Sequence, residues 1–237
     1  MTERYDTKAA IHYAAFRPPL HKPILERLIP PLESFRVGLD VGCGTGYSAV
    51  ALSQFCDRVF GLDPSQSMIA EAQWHPKISY IHGSGESLAT LPVQTFDVVT
   101  FAGSLHYAKT DRLRQELVRV CPPGAVILVY DFEVLLNTAV ADLELECPVT
   151  ASDYDHRANL YDWAEFGVEK GGTERLRLEV VEDEMAHLLL ADSNRYDAIG
   201  TRFSEGDPFE SLVDYLRHSS RAIHLDADIY FTRYRVL

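Results

Sequence analysis

Asp40-Val41-Gly42-Cys43-Gly44-Thr45-Gly46 is the stretch that decides the fold. It leaves a short apolar run, Val37–Val41, and enters a helical pattern near 46–55, so its glycines occupy a strand-to-helix turn. Glycine takes positive φ at no steric cost and lets a ligand come close to the backbone. A helix N-terminus adds free N–H groups and partial positive charge. The turn therefore predicts a seat for the polar end of a ligand. Its spacing is G-x-G-x-G, whereas the dinucleotide fingerprint G-x-G-x-x-G needs glycine at 47, where this chain has Tyr47. That disfavours a nicotinamide or flavin without removing it.

Outward from this turn, short apolar runs alternate with helical patterns, the signature of a parallel sheet covered by helices on both faces. The further runs are Val59–Asp63, Ile78–Ile81, Phe96–Phe101 and Ala125–Tyr130, with helices expected near 46–55, 65–73 and 111–120. In the last, Asp111 is the expected cap and Leu113, Leu117 and Val120 share a face, before Pro122-Pro123-Gly124 stops the helix. Past Asp131 the rhythm changes. Helices are expected over Leu135–Glu146, Asp183–Ala191 and Phe209–His218, a loop over 147–173, and strands over Arg175–Val181 and Ile229–Val236. Residues 5–30 read as a helical extension broken at Arg17-Pro18-Pro19.

Strand two ends in Asp63, 17 residues after Gly46. An acid there accepts hydrogen bonds from both hydroxyls of an adenosine ribose; it also suits capping of the helix that begins at Pro64-Ser65.

These residues resemble the class I S-adenosylmethionine-dependent methyltransferases. Asp40–Gly46 is similar to their first motif and Asp63 to their ribose-binding acid. Gly83-Ser84-Gly85-Glu86-Ser87-Leu88 is similar to the adenine-flanking loop, Phe96-Asp97-Val98-Val99 to strand four, and Arg119–Gly124 to the segment before strand five. The adenine loop of that family usually reads G-D-A-E, and here Ser84 stands at the Asp position, which shifts the expected contact to Gly85 N–H. Tyr13-Ala14-Ala15-Phe16-Arg17-Pro18 resembles the Y-x-x-x-R-P segment of trans-aconitate-type small-molecule methyltransferases, in which an N-terminal helix folds over the cofactor cleft. Asp192-Ser193-Asn194 weakly resembles a T-x-S segment of the same group.

The resemblance implies an α/β, Rossmann-like, seven-stranded, mostly parallel sheet with an antiparallel last strand and an N-terminal helical lid. It implies one methyltransferase domain over 1–237, with a lid (1–35), a cofactor-binding half (36–131) and a half completing the sheet and substrate pocket (132–237). The implied cofactor is S-adenosyl-L-methionine, contacted by Asp40, Gly42, Cys43, Gly44, Gly46, Asp63, Pro64, Met68, Ser84, Gly85, Glu86 and Ala102. Methyl transfer from a sulfonium depends on near-attack geometry and on excluding water, so a lid bearing Tyr13 and Arg17 is expected. His106 follows strand four, where open α/β sheets bind ligands, and suits a general base for a hydroxyl; with a carboxylate substrate, Arg17 or His106 positions it instead. Tyr154, Tyr161, Trp163 and Phe166 are expected to wall a pocket or simply to pack.

The expected reaction is methyl transfer to a small-molecule oxygen, carboxylate or hydroxyl. The alternatives are an NAD(P)-dependent oxidoreductase and a non-catalytic binding protein of the same fold. Charge bears on partners. Residues 1–130 carry 12 Lys+Arg and 12 Asp+Glu, so the remaining 10 and 23 place the whole formal charge of −13 after residue 130. No general basic surface is left for a phosphate backbone, so nucleic acid is not an expected partner. The Asn-Pro-Pro-Tyr type of motif, which resembles amino-directed DNA methyltransferases, is also missing after strand four. The N-terminal residues show no signal pattern and no apolar run is long enough to span a bilayer, giving a cytoplasmic expectation with no membrane partner. Cys43, Cys56, Cys121 and Cys147 lack metal-ligand spacing and are read as reduced, mostly buried thiols. Asp153, Asp155 and His156 are read as chance clustering rather than a metal site.

Overall fold

The structure is a computed structural model that describes residues 7–91, 95–145, 153–203, 206–219 and 223–237. Its elements begin with α1 (Thr7–Ala15) and α2 (His21–Leu28), then β1 (Phe35–Val41), α3 (Tyr47–Leu52), β2 (Cys56–Asp63), α4 (Gln66–Ala70) and β3 (Ile78–His82). A 3-10 turn at Gly85–Thr90 precedes β4 (Val98–Ala102), α5 (Leu105–Ala108), α6 (Asp111–Val120) and β5 (Val126–Leu135). The remainder is α7 (Asn137–Asp142), β6 (Phe166–Glu179), α8 (Glu182–Leu190), α9 (Ser193–Arg202), α10 (Pro208–His218) and β7 (His224–Val236). Each apolar run expected between 36 and 131 is a strand.

The seven strands form one sheet in the order β3-β2-β1-β4-β5-β7-β6, flanked by helices, and β1 to β5 pair in parallel. β7 runs the other way, so that Arg175 meets Asp228 and Arg177 meets Asp226 across β6 and β7. Chain order reverses between β1 and β4, the switch point where such sheets leave a crevice at their carboxyl ends.

Three local outcomes differ from the sequence reading. Thr110, not Asp111, caps α6: its Oγ1 accepts the Leu113 N–H at 3.1 Å, and Asp111 is the first helical residue, where its charge meets the positive helix end. The 147–173 loop is shorter than expected, because β6 already begins at Phe166; residues 146–152, with Cys147, lie outside the described residues. α9 is an additional helix, capped by Asp192, which accepts the Arg195 N–H at 2.9 Å. The other thiols, Cys43, Cys56 and Cys121, are buried and unbridged.

The chain divides into two compact units. The larger comprises Pro19–Phe132, Tyr154–Glu174 and Ile229–Leu237. Its core includes Leu39, Phe60, Phe96, Phe101, Ile127, Trp163, Tyr234 and Val236. α2 belongs to this unit and is anchored in it, with Ile24, Leu25 and Leu28 buried.

The smaller unit takes the described residues of Met1–Pro18, Glu133–Asp153 and Arg175–Asp228. Its core gathers Leu143, Met185, Leu189, Ile199, Leu212 and Leu225. Within it His12 on α1 and His187 on α8 share one hydrogen bond, Nδ1 to Nδ1 at 2.9 Å, beside the Phe209 ring. Two imidazoles so joined cannot both be protonated at those atoms. Burial pushes both pKa values down; His187 adds to the lowering at His12, while Asp207 and Asp183 oppose it. The folded values therefore lie below the ordinary 6.5, and the stability they contribute is present above that pH and lost as pH falls below it. Amide exchange of α1 and α8, corrected for intrinsic rates, is expected to be slow at pH ~7.5 and faster at pH ~5.5; His12→Phe should flatten that difference.

Candidate functional site

The carboxyl ends of β1, β2 and β4 meet at the glycine turn. Gly42, Gly44 and Gly46 all have positive φ, at 73°, 53° and 92°. A Cβ on Gly42 would overlap Ser104, whose hydroxyl donates to the Val41 carbonyl and ties the turn to the segment after β4. A Cβ on Gly46 would fall 2.1 Å from the Tyr80 hydroxyl, whereas one on Gly44 would meet nothing within 4 Å. Gly44 thus faces open space, and a ligand can reach the backbone there.

Asp40 is fully buried. Its register opposite Thr100 on β4 explains why Thr100 Oγ1 donates to Oδ1 at 2.7 Å, while Ser48 Oγ of α3 donates to Oδ2 at 2.5 Å. Burial pushes its carboxyl up to about 6 against the pull of those two hydroxyls. Asp40 therefore braces β1, α3 and β4 under the turn. Asp63 ends β2 with Oδ2 accepting the Gly44 N–H and Oδ1 the Ser65 N–H, both at 2.8 Å. It holds the glycine turn and starts the chain toward α4, where Ser65 is the cap and Pro64 and Met68 are exposed.

The 83–88 loop adjoins the same end of the sheet, since a Cβ on Gly85 would meet Val41 at 3.1 Å. Ser84 caps the 3-10 turn by accepting the Glu86 N–H, and Glu86 accepts the Thr110 hydroxyl at 2.8 Å. Tyr80 lies over Gly61 and Gly46, and burial pushes its hydroxyl up to about 12. Among the described residues that buried hydroxyl has no hydrogen-bond partner. An orphaned donor beside an open glycine turn fits a ligand rich in acceptor atoms.

A cavity of about 290 Å³ opens past the end of β4 and beside the middle of β5 in the larger unit, lined among others by Gly103, His106, Asp131, Tyr154, His156 and Tyr230. His106 is exposed, and its Nδ1 accepts the Asp155 N–H at 3.2 Å. Nδ1 is thereby used as the acceptor, and the neutral ring carries its proton on Nε2. In that tautomer His106 has an N–H to donate. Tyr13 and Arg17 lie in the smaller unit, the guanidinium 3.7 Å from the centroid of the Tyr13 ring.

Residues 39–129 match the family model described as a methyltransferase domain. Over those residues the chain is a methyltransferase domain of the S-adenosylmethionine-dependent kind. The domain is similar over 114 residues, at 28% identity, to a Saccharomyces cerevisiae protein named as a probable S-adenosylmethionine-dependent methyltransferase, covering 45% of this chain and 39% of that one. It is 33% identical over 105 residues to a ubiquinone biosynthesis O-methyltransferase of Rhizobium etli, covering 42% of each chain. The chain thus spans about half or less of the length of the curated relatives it matches. In fold, the chain aligns with a solved structure of a candidate type II methyltransferase from Anaeromyxobacter dehalogenans at TM-score 0.64 and 23% identity, covering 94% of this chain and 99% of that one. Among the described residues no helix is long and apolar enough to cross a membrane.

Proposed function

We propose that this protein transfers a methyl group from S-adenosylmethionine to an oxygen of a small molecule bound in the cavity beside His106. Bound S-adenosylmethionine supplies a methyl group on a sulfonium. Asp63 binds the ribose hydroxyls; the Gly42–Gly46 backbone with Cys43 and Ala102 receives the polar amino-acid end; Pro64, Met68, Ser84, Gly85 and Glu86 border the adenine. Asp40 fixes the elements that carry these groups. The whole chain works as one methyltransferase domain, with Tyr13 on α1 and Arg17 in the link after α1 as the lid residues. One observation carries the cofactor reading: Asp63 clasps Gly44 N–H while Gly44 faces open space.

A cavity of this volume has room for a metabolite-sized molecule, which supports the small-molecule reading. The name of the Rhizobium etli relative supports oxygen as the acceptor, although that of an Eremothecium gossypii relative, a sterol 24-C-methyltransferase, specifies carbon. Titration calorimetry tests the cofactor. S-adenosylhomocysteine is expected to bind and NAD(P) is not; heat from NAD(P) alone would establish the oxidoreductase. A turnover assay across a metabolite set then separates an enzyme from a binding protein.

A further inference from the structure

The same cavity holds a second imidazole that sequence alone leaves unassigned. His156 Nδ1 lies 3.0 Å from Asp131 Oδ2. A carboxylate only accepts, so Nδ1 carries the proton and the neutral ring keeps its lone pair on Nε2. Nε2 makes no hydrogen bond among the described residues. The ring is fixed by Tyr154 at 4.7 Å, edge to face, and by Tyr230 stacked at 5.9 Å.

Asp131 is pinned in turn. Its Oδ1 accepts the Phe132 N–H at 2.7 Å and its Oδ2 the Tyr154 hydroxyl at 2.7 Å, and its side chain is only 15% exposed. Gly103 makes room for this arrangement: it has φ +70°, and a Cβ there would sit 3.1 Å from Asp131 Oδ1. Asp131 thus stands within β5, one residue past its pairing with the end of β4, largely buried, and holds an imidazole by Nδ1, which is how a carboxylate sets the tautomer of a base. The two cavity histidines are therefore complementary. His106 presents a proton and His156 presents a lone pair.

We infer that Asp131 and His156 form a proton-accepting dyad, His156 as the base and Asp131 as its positioning residue, and that the methyl acceptor is a hydroxyl and not a carboxylate. The inference rests on the methyltransferase reading above and narrows its substrate class. As the acceptor oxygen bonds to the methyl carbon, its proton passes to His156 Nε2. The carbon–sulfur bond breaks with its electron pair left on sulfur, so the positive charge lost at sulfur is regained at the imidazolium. Asp131 steadies that charge through Nδ1–H. His106 Nε2–H donates to a second oxygen of the same molecule and keeps it oriented.

Nitrogen-15 chemical shifts of the imidazoles test the tautomers directly in the full chain. His156 is expected as Nδ1–H and His106 as Nε2–H, with His156 becoming a mixture in Asp131→Asn. Methylation is then followed with S-adenosylmethionine and two probes, catechol for a hydroxyl and citrate for a carboxylate. Catechol is expected to be the one methylated, and His156→Ala to lower kcat about 100-fold or more with KM nearly unchanged and with partial recovery on adding imidazole. Calorimetry with S-adenosylhomocysteine should show the same affinity in wild type and His156→Ala, which also reports that the variant is folded. An Nε2–H tautomer at His156, an unchanged kcat in His156→Ala, or methylation of citrate alone would overturn the dyad. If neither probe turns over, the tautomer decides it. Failure of the wild type to bind S-adenosylhomocysteine would instead remove the methyltransferase reading while leaving the tautomers as a separate result.

Discussion

Gly46→Ala is expected to abolish S-adenosylhomocysteine binding and to lower the unfolding free energy by about 2–5 kcal/mol. Two costs add. A residue with a Cβ pays roughly 1–2 kcal/mol for the left-handed backbone, and Gly46 has φ +92°. Overpacking adds about 1–3 kcal/mol. The new methyl would lie 2.1 Å from the Tyr80 hydroxyl, and the ring cannot retreat because Gly61 is packed against its other part. Urea unfolding should show the loss. Tyr80→Phe in the same chain should return part of the overpacking share, since the methyl would still lie 2.8 Å from the ring Cζ, and leave the backbone share; an additive double variant would mean that Tyr80 is not what the methyl meets.

Asp63→Ala should have the second-largest effect, a loss of S-adenosylhomocysteine affinity of about 100-fold, which is near 2.7 kcal/mol and in the range of one or two hydrogen bonds to a charged group. The side chain acts twice, on the ribose by our proposal and on the Gly44 and Ser65 amides in the structure. Asp63→Asn keeps one acceptor oxygen and is expected to fall between. Calorimetry across the three chains gives the order; equal affinities would show that the acid only holds the turn and touches no ribose.

The same two positions show why the sequence is readable here. A glycine with positive φ and an acid at a strand end are demanded by local backbone geometry, so they sit at fixed spacings along the chain. Buried parallel strands are legible for a similar reason: both faces are covered, and their residues read as continuous apolar runs. β6 is not of this kind. It lies at the sheet edge, and most of Gly167–Glu174 is exposed, so it reads as loop; charge along an edge protects it from pairing with other chains. α9 is hard to see in the sequence because only Ile199 on it is buried, although Asp192 is a usable cap signal.

The dyad is hidden for a different reason. Asp131 and His156 are 25 residues apart and are joined only by tertiary packing. No local rule links them, and along the chain His156 stands instead beside Asp153 and Asp155, with which it makes a misleading acidic cluster. The one available clue is the place of Asp131 just past the apolar run of strand five. An acid just past an apolar strand run is better read together with later histidines than alone.

The antiparallel strand β7 also bears on when the molecule can form. Tyr234 and Val236 belong to the larger core, and Val236 exchanges backbone hydrogen bonds with Gly124 and Ala125, more than 100 residues earlier. Strands β1 to β5 can pair as they emerge in order, but the gap beside β5 waits for residues made long afterwards. During synthesis the β5 edge and the apolar face that Tyr234 covers stay open while the whole of 137–223 is added. Assembly of this fold is set by a late, non-local closure, and that interval is when the chain is most exposed to wrong pairing.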